Sequence, residues 1–459
     1  MRFLLTSLMT YESEFYGVVG RELERRGHHV THVTESREAA RMLRSQGVDA
    51  RCLADVAAEA GPPASLDDEV RRIEATYPIP NLGDVHRNDK PCAGRPEGWC
   101  TGRTVDRFRA LERIFDDVRP DVMLPEVGNE TIRIAAHLIG LARGIPVLFI
   151  LHTPFPNPLR VYVNTLHAPI APLEELRPLT PEEAEAADAF RAAFTATATP
   201  IREHRRVPIE AQRLKVFAGH LRRKMTEDRD NDYLRPWRLL HQNVAEKLRA
   251  RAVRPFYDEL DPQRPFVYFP LHVTDDYKIQ RIIPHLADQA AVVEQIADAL
   301  PAGHDLVLKE HPMSLGRNSI ALVKRLRRRP NTRLVDPYTN THELIRRSEA
   351  VAVISSTVGL EALLYDKPVL TLGQPYYSGF GVTLDVDSVA DLPRALPELL
   401  RFRPDPERIR QFLHLGMRHT HPGHPLLVDR SEDNALIVAD TLERAALAVT
   451  AQPPVGAGV

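Results

Sequence analysis

The stretch Ser348–Leu364, SEAVAVISSTVGLEALL, restricts the fold more than any other. Its run Ala350–Ile354 is apolar at every position and then stops at three hydroxyl residues, Ser355, Ser356 and Thr357. A strand with one wet face alternates polar and apolar residues. An uninterrupted apolar strand is buried on both faces, the usual setting of a parallel sheet. Apolar residues then return at helical spacing through Leu360, Leu363 and Leu364. The stretch predicts a buried strand, a turn and a helix N-terminus. Free backbone N–H groups and the positive helix end favour an anion at such a turn, and the same hydroxyls serve equally well as a simple cap.

The rest of the chain repeats this grammar. Residues 2–9, 29–33, 48–53, 121–126 and 147–151 read as strands separated by helices, with Gly27 at a helix C′ position. A second series occupies 266–269, 305–309, 333–335 and 350–354. Short connections between alternating strands and helices imply parallel sheets covered on both faces. No G-x-G-x-x-G follows the first strand, so the usual dinucleotide fingerprint is absent. A length of 459 residues exceeds a typical single core. Asp261–Pro265 reads as a linker. The expected organisation is an N-terminal Rossmann-like domain over 1–260, with a helical basic segment at about 180–258. A C-terminal Rossmann-like domain over 261–450 and a disordered tail over 451–459 complete it. Residues 60–105 read as less regular, a charged helix near Leu66–Ala75 followed by a loop rich in Gly, Pro and charge that carries Cys92 and Cys100, and a helix is expected over 104–118. Thr180-Pro181-Glu182-Glu183 carries a capping box.

Charge is nearly balanced, 60 basic against 62 acidic residues, which gives no general signal for nucleic acid. Between Arg202 and Arg254, however, fifteen Lys and Arg face seven Asp and Glu. Such helices suit peripheral contact with anionic lipid or a charged glycan, and equally a solvated helix face. Three cysteines without metal spacing point to a reducing compartment. No apolar run reaches membrane-span length, so a cytoplasmic location at the inner face of the membrane is expected. His414, His419, His421 and His424 cluster without a recognised metal spacing, and no metal site is expected.

Three strands of the second series end in polar loops on one rim: after Phe269, at Lys309-Glu310-His311-Pro312, and at Ser355–Thr357. Glu126 ends a strand of the first series, followed by Glu130. Carboxylates at such strand ends serve as general bases or nucleophiles, and also occur there as solvated loop acids.

Phe269-Pro270-Leu271-His272 with Asp275, Asp276 and Gln280, Leu308–Pro312, the Ser355–Glu361 turn and Lys367–Gly373 together resemble the second domain of bacterial capsular-polysaccharide biosynthesis proteins. That family includes retaining β-Kdo transferases. The resemblance is dense over about 266–385 and implies a GT-B-type pair of Rossmann-like domains whose parallel sheets face across a cleft. It implies a metal-independent glycosyltransferase with no cofactor, moving Kdo or a related acid from a CMP-sugar to a surface glycan or glycolipid. His272, Asp276, Gln280, Lys309, His311, Pro312, Ser355, Ser356, Thr357 and Glu361 would then bind the donor nucleotide. His311 would also assist catalysis, and Glu126, with Glu130 second, would be the catalytic carboxylate. His272 stands where many relatives carry glutamine, and the resemblance implies that the helix from Glu432 to Leu447 packs back across the domain junction. The alternatives are a UDP-sugar transferase or epimerase of the same architecture, a CDP-alcohol phosphotransferase, and a non-catalytic glycan-assembly protein.

Overall fold

The computed structural model describes residues 1–197 and 209–451, the side chains of 209–214 excepted. Residues 202–208 of the basic segment, and the expected tail from 452 onward, lie outside the described residues. The first sheet contains β1 (Arg2–Ser7), β2 (His29–Thr34), β3 (Asp49–Cys52) and β4 (Val122–Leu124), parallel and in the order β3-β2-β1-β4. Beside it, β5 (Leu148–His152) and β6 (Leu159–Val163) form an antiparallel hairpin. The second sheet contains β7 (Phe266–Pro270), β8 (Asp305–Lys309), β9 (Thr332–Val335), β10 (Ala350–Val353), β11 (Val369–Thr371) and β12 (Leu384–Asp385). All are parallel, in the order β12-β11-β10-β7-β8-β9. Two parallel α/β sheets facing one cleft are the GT-B-type arrangement.

The apolar run of β10 now has its reason. Ala350, Ala352 and Ile354 enter the core on one face of the second sheet, while Val351 and Val353 enter the core on the other. Each buried Val contributes roughly 1.5–3 kcal/mol, so neither face tolerates a polar residue. Gly27 terminates the first helix, Thr10–Arg25, with φ of 90°, and Thr180 exchanges both capping-box hydrogen bonds with Glu183.

Three features differ from the sequence reading. The charged helix expected near Leu66–Ala75 is there, as Leu66–Thr76, but the loop beyond it includes the helix Leu82–His86, and the helix expected from 104 begins at Glu97 and runs to Val118, burying Cys100. Residues 147–151 join the parallel series only through a bridge of Val147 to Met123. Pro154, Pro156 and Pro158 turn the chain back, and β5 pairs with β6 instead, closed by a Thr153 N–H to Pro158 carbonyl bond of 2.7 Å. One helix packs away from the domain that its chain position suggests, and a second crosses the junction as expected. Pro181–Thr197 sets Ala187, Phe190 and Phe194 into the core of the second sheet. Glu432–Thr450 sets Ala435, Val438 and Leu442 against Phe3 and Leu5 of the first, where Arg26 pairs with Asp440 and Glu443. Apolar faces go where a matching apolar surface is open, whatever their chain position.

The basic segment spends much of its charge internally. Arg222 pairs with Glu38, Arg235 and Arg238 donate to carbonyls of Pro91 and Ala93, and Arg249 donates to Gly316. Among the described residues no helix is long and apolar enough to cross a membrane.

Candidate functional site

In each sheet the strand order reverses beside its first strand, between β1 and β4 and between β7 and β10. Loops leaving a parallel sheet diverge at such a point and open a crevice. Both crevices line a single cavity of about 570 Å³. Glu126 and Glu130 reach it from beyond β4; His272, Asp276 and Lys278 from beyond β7; Ser355, Ser356 and Thr357 from beyond β10. Asn129 ties the two sides by donating from Nδ2 to the Asp275 carbonyl at 3.0 Å.

On the first side, Glu126 is a non-glycine residue at φ of 60°, a backbone strain of the order of 1–3 kcal/mol that surrounding contacts hold in place. The Tyr16 hydroxyl donates to its carboxylate, and the Val127 N–H donates at 3.2 Å. Burial raises the Glu126 carboxyl above its ordinary value, with Arg133 opposing and Glu12 adding to the rise. Arg133 is buried and pairs with Glu12 at 2.8 Å and Glu130 at 3.2 Å. Gly128 leaves room for this pair, since a Cβ would lie 2.0 Å from Glu130 Oε2 and 2.4 Å from Arg133 Nη1 and both side-chain ends would have to move. The result is three carboxylates sharing one guanidinium.

On the second side, burial holds His272 down at about 3, with Lys278 and His311 adding to the fall. The ring is therefore neutral. Its Nε2 accepts from the Ser355 N–H at 3.3 Å, which places the proton on Nδ1 and engages one of the turn's backbone donors. Ser356 Oγ accepts from the Val358 N–H at 3.2 Å and keeps its own proton to donate. The turn thus offers hydroxyl donors beside a neutral imidazole. Asp276 accepts from the Lys278 N–H at 2.7 Å, and burial raises its carboxyl.

The remaining predicted residues stand around this cavity without lining it. His311 caps the short turn Pro312–Ser314, its Nδ1 accepting from the Met313 N–H at 3.1 Å. Gln280 spans the lobes, accepting from Asn88 at 3.3 Å and donating to the Thr274 carbonyl at 2.7 Å. Lys309 donates to Thr341 at 2.5 Å. Glu361 is buried, and the Thr357 hydroxyl lies 3.5 Å from it. Burial brings the Lys309 ammonium down to about 8 and the Glu361 carboxyl up to about 7, each opposed by the other's charge. Between about 4.5 and 7 the folded chain binds a proton on Glu361 that the unfolded chain has released, so stability falls as pH rises through that window. The full change is about 3 kcal/mol. Urea denaturation across pH 4.5–7 is expected to show a steeper fall in wild type than in Glu361→Gln, where the other buried carboxyls alone contribute.

The histidine tract is structural in its contacts. His419 pairs with Glu175, His421 backbone bridges Leu159, and His424 stacks on His152 at 6.0 Å. Among the described residues no group of three metal-ligating side chains occurs. Sequence reasoning missed Tyr16, Arg133, Lys278 and Tyr376. Arg133 alone had a local signal, a charge inside the apolar helix Thr131–Ala142.

Residues 190–398 match the family described as capsule polysaccharide biosynthesis protein. Over that stretch, less than half of its length, the chain is similar to those proteins. The matched region carries His272, Asp276 and the Ser355–Thr357 turn, whereas Glu126 and Glu130 precede it. Protein FixF of Sinorhizobium fredii is 32% identical over 166 residues, 36% of this chain and 40% of FixF. The capsule polysaccharide export protein KpsS of Escherichia coli is 28% identical over 185 residues, 37% of this chain and 46% of KpsS. The chain thus spans less than half the length of these curated relatives. Among solved structures, the β-Kdo 2,4 transferase of Thermosulfurimonas dismutans KpsC is similar at a TM-score of 0.38 and 14% identity, over 70% of this chain and 87% of that one.

Proposed function

We propose that the chain is a glycosyltransferase that moves a sugar acid, Kdo or a related one, from a CMP-sugar to a surface glycan or glycolipid. One observation carries this reading: carboxylates at one sheet's switch point face a hydroxyl-rich turn at the other's across one cavity. Ser355, Ser356 and Thr357 would hold the nucleotide phosphate, with Glu361 and His311 behind them toward the ribose and phosphate. Glu126 would act on the anomeric carbon or on the acceptor hydroxyl. Capsule-related proteins as relatives support the same class.

Thermal shifts with CMP, CDP and UDP test the donor assignment. A ligand at one hundred times its Kd adds about 2.7 kcal/mol of stability. CMP is expected to give the largest shift, reduced in His311→Ala and Ser356→Ala. Selective stabilisation by UDP would sink the assignment. The exposed residues Trp237, Leu240, Val244 and Leu248 share one face of the helix Pro236–Val253, beside Lys247 and Arg251, and we assign peripheral membrane contact to this face. The protein is expected to pellet with anionic but not neutral vesicles; remaining in the supernatant with both refutes the contact.

A further inference from the structure

Behind the Ser355 turn lies a group of side chains that the proposed transfer does not yet use. Lys278, half-buried at the start of the short helical turn Lys278–Ile282 beyond β7, lines the main cavity. Among the described residues its ammonium has no hydrogen bond and no carboxylate within 4 Å; Asp276 acts on it only at longer range. Arg160, on β6, is 4% exposed and also lacks a carboxylate partner among the described residues. Its guanidinium lies 3.7 Å above the Tyr162 ring and 5.3 Å from that of Tyr376, and it donates to the Tyr162 hydroxyl and to the carbonyls of Ala168 and Pro169. Tyr376 is 5% exposed, yet its hydroxyl has no hydrogen-bond partner. A small recess beside the main cavity shares Tyr162, Lys278, Ser355 and Tyr376 as walls.

Two cations without a neutralising acid and an orphaned buried hydroxyl are costly unless something completes them. Each would be satisfied by one ligand chemistry, an oxyanion. We propose that Lys278 and the hydroxyls of Tyr376 and Ser355 form an oxyanion subsite in the cleft, with Arg160 as its fixed positive backing. The oxyanion is one borne by the donor, either its phosphate or the carboxylate of an acidic sugar. This assignment rests on the nucleotide-sugar reading above. It gives that reading a specificity element, because a donor lacking the charge would leave Lys278 and the Tyr376 hydroxyl unpaired in a partly desolvated place.

Wild type, Lys278→Met and Tyr376→Phe are titrated calorimetrically with cytidine, CMP and free Kdo. Lys278→Met is expected to fold with a Tm at or above that of wild type, since it removes a cation with no partner. It is expected to bind cytidine normally and to lose about tenfold or more in affinity for one of the two anions. Loss for CMP identifies the phosphate as the occupant, and loss for Kdo alone identifies the carboxylate. Tyr376→Phe should weaken the same anion, and Lys278→Arg should restore part of it. Unchanged CMP and Kdo affinities in both Lys278→Met and Tyr376→Phe overturn the subsite, as does a lowered Tm in Lys278→Met with anion binding intact. Wild type that binds neither cytidine nor CMP overturns the nucleotide reading instead. Inorganic phosphate and acetate then report on the subsite by the same comparison.

Discussion

Glu126→Gln is expected to lower turnover by about a thousandfold or more while CMP affinity stays within about twofold of wild type. The size follows from the role: losing a positioned general base costs about 10²–10⁴, and losing a nucleophile more. The selectivity follows from geometry, since Glu126 projects from the first sheet while the proposed phosphate turn belongs to the second. The substitution keeps shape and an acceptor oxygen for the Tyr16 hydroxyl, so the strained backbone at Glu126 has no new reason to relax. Its carboxyl lies above its ordinary value because it is buried, and a base or nucleophile works only when ionised. The rate of wild type should therefore rise with pH through that shifted value. Tyr16→Phe, which removes a donor that favours the ionised form, should move this limb upward. Single-turnover rates with saturating donor measure both effects. Full turnover in Glu126→Gln with loss in Glu130→Gln would transfer the role to Glu130.

The second large effect concerns stability. Arg133→Met is expected to cost about 3–5 kcal/mol at neutral pH, the usual result of leaving buried charges without their counterion. Arg133 donates to Glu12 at 2.8 Å and to the Val127 carbonyl at 2.6 Å, pairs with Glu130 and opposes the charge on Glu126. Without it three carboxylates crowd one buried corner, and the Glu126 carboxyl, already raised by burial, loses the cation that opposes the rise. Folded values raised in this way give stability that is present in acid and lost as pH rises. The drop in urea midpoint should accordingly be smaller at pH 5 than at pH 7. A loss below about 1 kcal/mol at pH 7, or one independent of pH, contradicts this account of the corner.

Much of the candidate site was legible because its signals are local. The apolar β10 run, its hydroxyl stop and the helical return after it each lie within a few residues, so periodicity identifies the turn without any knowledge of its neighbours. Glu126 was legible as a carboxylate at a strand end for the same reason. Lys278 was not. It lies two residues beyond Asp276, and nothing in that local run says that Arg160 and Tyr376 lie beside it. Its meaning depends on the absence of an acid partner among the described residues, which no stretch of sequence displays.

By itself the sequence determined the strand-and-helix alternation, the two parallel sheets and the polar loops at the ends of their strands, since each follows from residue spacing and the backbone's need for hydrogen bonds. Tertiary structure decided which loops meet. It made part of the loop beyond Thr76 helical, folded β5 back on β6, and sent Pro181–Thr197 to the second sheet. It also drew Glu126, His272 and Ser355 to one cavity while leaving Lys309 and Glu361 outside its lining. The physical reason is that hydrophobic burial is non-directional: it rewards any matching apolar face, so chain order alone does not choose among them.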